Sequence, residues 1–361
     1  MKYSITAITL AGLAAAAAIN GKEGSPVTVS LSSVDHTTIK ATITNNGDKA
    51  YNIMHKGTLL DSLPVDKFRV TRDGAADDAA PAAFHGVKLR MANTGFEEAD
   101  FTPLAPGESK AVVVDVASLY ALDTSGTYHV HAAGRLRFAE ANSTELVRGR
   151  GLRFASNRLA LDVDGPAARQ VLRDVEARLA AMRRSTVQSD CTDAQKATVV
   201  DGLARCASQA SKAADAALNG SAAKFKEYFM STATKDRQLV ADRLTAVAKE
   251  CDASPGGVLD LHCKDVYNYC ASNTYAYTKS SANAVIWCKQ YWNHDLETET
   301  CHGDDKTGTT IHEFTHADSV FSPGTDDNAY GYDDCMQLSR ADALTNADTY
   351  EYYANAIHLG C

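Results

Sequence analysis

The first 190 residues of this chain contain no cysteine, whereas the remaining 171 contain nine. A disulfide framework can therefore staple only the second part, and the first part reads as a separate region. Past the N-terminus no apolar run approaches twenty residues, so the sequence offers no helical membrane span and predicts a soluble mature protein. There is no G-x-S-x-G elbow, no P-loop and no Rossmann fingerprint. The short signatures of serine hydrolases, nucleoside triphosphatases and dinucleotide enzymes are thus missing. The cysteines show no repeated C-x2-C pairs, which makes a cysteine-held metal cluster a poor reading. A disulfide framework also argues against a free catalytic thiol.

What is present begins with a leader. Met1-Lys2-Tyr3 runs into an alanine-dominated apolar stretch over 5–19, with one positive charge before it and small residues at its end. That layout predicts a secretory signal peptide over 1–19 and an extracellular, secreted product. Over 26–163 the chain alternates apolar and polar residues in short stretches such as Val27-Thr28-Val29-Ser30-Leu31, separated by turn signals such as Asn45-Asn46-Gly47-Asp48. The pattern predicts a small all-β sandwich with an immunoglobulin-like layout. Val171, Leu172, Val175 and Leu179 then follow at helical spacing, which predicts an amphipathic linker helix over 166–184. Beyond Ser185 the chain turns mainly helical, with 267–287 richer in Tyr, Thr, Val and Ile and able to supply a short sheet. A start at Ser339 with Asp342 three residues on predicts one last helix through about Ile357. The hydrophobic content of 45% is ample for two cores.

The chemistry concentrates in His312-Glu313-Phe314-Thr315-His316. On a helix, histidines four apart share one face, one turn apart, where a single Zn²⁺ can bridge them. Glu313 then lies beside the open metal position, placed to take a proton from water. A catalytic zinc usually takes a third protein ligand. A histidine at the spacing used by metzincins is excluded, because Ser319 and Ser322 stand there. Glu351 on a later helix is one candidate. Asp327 is the other, since Ser322-Pro323-Gly324 must end the helix and let the chain fold back.

His312-Glu313-Phe314-Thr315-His316 followed by Gly324-Thr325-Asp326-Asp327-Asn328-Ala329-Tyr330-Gly331 resembles the deuterolysin family of fungal zinc endopeptidases, the aspzincins. The likeness runs from roughly Ser185 to the end, through Asn346-Ala347-Asp348-Thr349-Tyr350. It implies a zincin-like mature domain, α+β with a small antiparallel sheet, and one Zn²⁺ per mature chain. It assigns His312, His316 and Asp327 as ligands, Glu313 as base and Tyr330 as support for the substrate carbonyl or oxyanion. Asp348 is expected to orient a ligand histidine through its other ring nitrogen. The resemblance also suggests the pairs Cys191–Cys263, Cys270–Cys288 and Cys301–Cys361. Cys206 and Cys251, in or just after successive helices, could pair across an antiparallel packing, leaving Cys335 as a buried thiol.

Arg183-Arg184 stands at the boundary in cysteine content and in front of the resemblance, and a kexin-type protease would cut after it. The expected organisation is a signal peptide at 1–19, a propeptide at 20–184 and a metallopeptidase domain at 185–361. From Ser185 onward there are 25 acidic and 14 basic residues, a net of −11 against −9 for the whole chain. An acidic mature domain favours basic partners and disfavours nucleic acid. The family's association with histones and protamines agrees in sign. With no cysteine, the propeptide must mask the site sterically, or through a carboxylate or a histidine such as His85, His129 or His131. Asn142 and Asn219 match the N-glycosylation acceptor. The alternative to a peptidase is a secreted, zinc-stabilised binding domain without catalysis, which the presence of Glu313 argues against.

Overall fold

The computed structural model describes residues 25–74, 81–183, 190–252 and 257–361. The expected signal peptide and Arg184 lie outside them, as does the side chain of Arg183. From the N-terminal side come twelve strands: β1 (Val27–Asp35), β2 (Thr38–Asn45), β3 (Tyr51–Met54), β4 (Arg69–Arg72), β5 (Lys88–Met91), β6 (Phe101–Leu104), β7 (Ser109–Asp115), β8 (Gly126–His131), β9 (Ala133–Leu136), β10 (Phe138–Glu140), β11 (Leu152–Ala155) and β12 (Leu159–Val163). β1 buries Val27, Val29 and Leu31 and exposes the residues between them, as period-two alternation requires. Eleven of these strands pair into four small antiparallel sheets, ordered β1-β2-β7, β10-β3-β6, β11-β9 and β12-β8-β4. This pairing does not trace the two-sheet immunoglobulin-like layout expected from the spacing. Helix α1 (Gly165–Arg183) closes the region, with Ala168 buried in the same core as Val70 and Val130 and Val171 packed against it.

The remaining strand, β5, leaves its neighbours. It joins the sheet of the C-terminal half, where the order is β13-β15-β14-β5 for β13 (Asp260–His262), β14 (Thr274–Lys279) and β15 (Ala284–Trp287). β5 runs antiparallel to β14 with Leu89 opposite Tyr277, and β13 runs parallel to β15. A third core, shared by both halves, follows from this exchange. It gathers Met54, Val87, Leu89 and Phe101 with Tyr277, Ile286 and Tyr330. The two expected units are therefore joined by a common sheet.

The C-terminal half is otherwise helical, as its pattern predicts: α2 (Asp193–Asn219), α3 (Ala222–Phe229), α4 (Thr234–Asp252), α5 (Lys306–His316), α6 (Tyr332–Cys335), α7 (Arg340–Ala343) and α8 (Ala347–Leu359). Thr192 and Gln195 form a capping box at the start of α2. Cys206 of α2 bonds Cys251, which lies inside the last turn of α4 rather than after it. Cys191–Cys263, Cys270–Cys288 and Cys301–Cys361 are bonded as well, and Cys335 is free and buried. The expected last helix is two. Ser339 caps α7 through the Asp342 N–H, but the chain breaks at Leu344–Asn346 before α8 begins. The cause is local: Asp326 donates its N–H to Thr345 O and accepts the N–H of Ala347, so those groups are withdrawn from a continuous helix.

Candidate metal centre and cleft

The helix that carries the two histidines is built from poor helix formers. Thr307, Thr309, Thr310 and Thr315 are β-branched, yet all eleven residues of α5 are buried, and tertiary packing outweighs propensity. Each threonine hydroxyl is satisfied: Thr309 and Thr310 donate back to Asp305 O and Lys306 O at 2.8 Å, Thr307 to Leu296 O and Thr315 to His312 O at 2.7 Å. Asp305 caps the helix by accepting the Gly308 N–H at 2.6 Å. Burial pushes its carboxyl up to about 7.

α5 stops at His316, six residues before the expected Ser322. The chain after it returns onto the helix end, where Thr325 donates its N–H to Thr315 O at 2.9 Å. Gly324 makes that return possible. A Cβ there would stand 2.2 Å from His316 O, a clash that any other residue would suffer. The following residues are stitched to the start of α8, with Ala329 donating to Asn346 Oδ1 at 2.9 Å and Gly331, at φ +82°, donating to Asp348 Oδ2 at 2.7 Å.

This return brings three ligand-type atoms to one point. His312 Nε2 and His316 Nε2 are 3.0 Å apart, and Asp327 Oδ1 is 3.2 Å from each. Ligands around a tetrahedral zinc stand roughly 3.3 Å apart, so the triangle has the size of a metal site. The ring environments agree. His316 Nδ1 faces Thr325 O at 2.9 Å, and His312 Nδ1 faces Asp348 Oδ1 at 2.8 Å. The Thr325 carbonyl fixes the His316 tautomer, and the Asp348 carboxylate beside His312 Nδ1, at ion-pair distance, favours a proton there, so both Nε2 lone pairs face the centre. Two lone pairs and a carboxylate oxygen with no hydrogen-bond donor are a mutually repulsive set that a small cation relieves. Asp327 keeps 13% of its side chain exposed, while both histidines are fully buried. Burial alone would raise the Asp327 carboxyl, but positive charge on the His316 and His312 rings, standing where a cation would, outweighs it and holds the group well below the usual carboxylate range.

Glu313 is fully buried beside the histidines. Thr278 Oγ1 of β14 donates to its Oε2 at 2.5 Å, and Oε1 has no hydrogen-bond partner among the described residues. Burial pushes this carboxyl up to about 8, partly offset by His312 and by the Thr278 hydroxyl. Tyr330 is also buried, its ring nearly parallel to that of His312 with centroids 6.5 Å apart. Its hydroxyl donates to Leu89 O at 2.6 Å. A cleft of about 620 Å³ lies between the halves, bordered by Asp327 and Tyr330 with Arg69, His131 and Arg135.

Glu351, the competing third ligand, sits elsewhere. Its Oε2 is 3.5 Å from His312 Nδ1, behind the ring, and both its oxygens are taken by Arg90 at 2.8 and 2.9 Å. The group His312–Asp348–Glu351 could also hold an ion by distance, but the Arg90 guanidinium already supplies the positive charge there. Arg90 further donates to Asp304 Oδ1 at 2.7 Å. Ser319 and Ser322 are exposed on the loop after α5. Among the described residues, no candidate metal group contains His85, His129 or His131. His129 instead pairs with Asp73 at 2.9 Å. Arg90 is given no role by the sequence, and Thr278 falls in the 267–287 stretch expected only as a sheet. Arg90 lies within the alternating pattern of 26–163, and nothing in that pattern announces a partner across the chain.

Comparison with known proteins places the chain in a family. The family model described as deuterolysin metalloprotease (M35) matches residues 1–361. A neutral protease 2 homolog of Phaeosphaeria nodorum is 40% identical over 366 residues, covering 100% of both chains. Neutral protease 2 of Aspergillus oryzae is 36% identical over 359 residues, covering 99% of this chain and 98% of its own. A solved zinc peptidase from Grifola frondosa aligns with 46% of this chain and 97% of its own, at 19% identity and a TM-score of 0.39. The full-length match to the family model and to these relatives establishes that the chain belongs to the deuterolysin metalloprotease (M35) family.

Proposed function

We propose that this metalloprotease is a secreted zinc endopeptidase, made as a precursor and active on basic proteins. The observation that carries the reading is the triangle of His312 Nε2, His316 Nε2 and Asp327 Oδ1. Two nitrogens and one oxygen from three residues suit Zn²⁺ and leave its fourth position open. Zn²⁺ held there would polarise a peptide carbonyl and lower the pKa of a water to about 7. Asp348 holds the His312 ring so that Nε2 faces the centre. Glu313, with Oε1 unpartnered, takes the proton from the attacking water and later gives it to the leaving amine. Tyr330, whose hydroxyl stays protonated because burial and Asp327 raise it well above its ordinary value, donates to the oxygen on which charge develops.

The finer assignments rest on separate supports. The leader composition of 1–19 and four disulfides support secretion, and among the described residues no helix is long and apolar enough to cross a membrane. Arg183-Arg184, just before the cysteine-bearing part, supports a propeptide at 20–184 removed by a kexin-type protease. A preference for basic substrates such as histones and protamines is supported by the net −11 of 185–361 and by Asp304, Asp348 and Glu351 around Arg90. The test is a metal count on the processed protein with digestion of casein and protamine, before and after chelation and zinc return. One zinc per chain, with loss and recovery of both digestions, is expected. A metal-free protein that still digests casein would overturn the reading.

A further inference from the structure

β5 makes its whole ladder with the other half. Among the described residues its pairing is with β14 alone, apart from a single bridge between Val65 and Val87. Without β5, β14 would be the free edge of its sheet beside α5, and a free edge is a template for an incoming extended peptide. Three contacts fix β5 as such a peptide. Leu89 donates its N–H to Asp327 Oδ2 at 3.0 Å, its carbonyl accepts from Tyr330 at 2.6 Å, and the next side chain, Arg90, is forked onto Glu351. Lys88 anchors the other side through Asp326 Oδ1 at 2.9 Å.

We propose that Lys88–Met91 is the self-inhibiting element of the uncut chain: it lies on β14 as a substrate strand would, with the Leu89–Arg90 peptide in place of the bond to be cut and Arg90 as its anchor. The proposal rests on the peptidase reading of the site, since Tyr330 and Asp327 are occupied by Leu89 in the positions a substrate would need. It replaces a blocking histidine or carboxylate with a backbone segment. The interaction is charge-assisted and bidentate at Arg90, so this residue holds the strand more than its four-residue ladder does.

The test uses the full chain with Arg183→Ala and Arg184→Ala, so that it stays uncut. Into it are placed Arg90→Ala and, in a second variant, Arg90→Lys, which keeps the charge but loses the fork. Two quantities are read: hydrogen exchange over 86–92, and turnover of a short basic fluorogenic peptide. Arg90→Ala should raise both by about 30-fold or more, the lower end expected for removing one partner of a buried hydrogen-bonded charge pair. Arg90→Lys should fall between. Exchange and turnover equal to the uncut parent in both variants would overturn the proposal. If Arg90→Ala does not fold, the Arg90→Lys readings decide. A processed chain that digests nothing would sink the peptidase reading, while exchange over 86–92 would still decide whether Arg90 holds the strand.

Discussion

Replacing Thr278 with valine tests how the environment of Glu313 sets its protonation. Thr278 is fully buried in β14, and valine matches its shape and favours a strand, so the fold should persist. Its hydroxyl donates to Glu313 Oε2 at 2.5 Å and so favours the ionised carboxylate against the burial that pushes it up to about 8. A hydrogen bond to a charged group contributes about 1.5–3 kcal/mol. At 1.36 kcal/mol per unit, losing it should raise the Glu313 pKa by about one to two units. The base must be ionised to accept a proton, so activity will appear only at higher pH. The assay is kcat/KM against pH on the processed protein, and the expected result is an acid limb moved upward by about one to two units with little change at high pH. An unmoved limb, with far-UV dichroism unchanged, would refute the assignment of Glu313 as the titrating base.

Other expectations follow from the same contacts. Asp348→Asn removes the charge facing His312 Nδ1 and should weaken zinc binding about 10- to 100-fold in a chelator competition, with the fold intact; unchanged affinity would deny Asp348 its orienting part. Asp305 keeps its proton in the folded chain up to about pH 7, while the unfolded chain loses it near 3.8. Stability should therefore fall as pH rises between these values, by roughly 4 kcal/mol from this group. Asp305→Asn, which still caps α5, should flatten that fall in denaturant titrations, and an equally steep fall in the variant would be contrary. Removing the Cys206–Cys251 bridge, with a separation of 45 residues, should cost about 4 kcal/mol in the chain-entropy account. A thermal midpoint unchanged in the double alanine variant would contradict this.

The parts of the site that are local in sequence were legible. The shared face of His312 and His316 follows from helix geometry, whereas Asp327 was one of two candidates beside Glu351, and the deuterolysin resemblance assigned it. The position of Asp348 behind His312 was anticipated, whereas its bond to the Gly331 N–H depends on a turn geometry the pattern does not display. The end of α5 was placed at Ser322-Pro323, because proline marks a boundary a helix cannot pass. The helix stops earlier for a reason invisible in composition: Thr325 folds back onto Thr315. The break between α7 and α8 has a similar origin, a backbone exchange with Asp326. Strands over 27–163 were legible from alternation, but register partners were not. Leu89 pairs with Tyr277 across the whole length between them, and nothing short-range encodes such a match.

The central claim is that Glu313 moves the proton at a zinc centre held by His312, His316 and Asp327. Glu313→Gln tests it most directly, because the amide keeps the size of the side chain and can still accept from Thr278, yet cannot take a proton. Zinc content and casein turnover are measured on the same processed preparation. The expected result is one zinc per chain, as in the parent, with turnover reduced about 10²- to 10⁴-fold. Turnover close to the parent at full zinc occupancy would contradict the account.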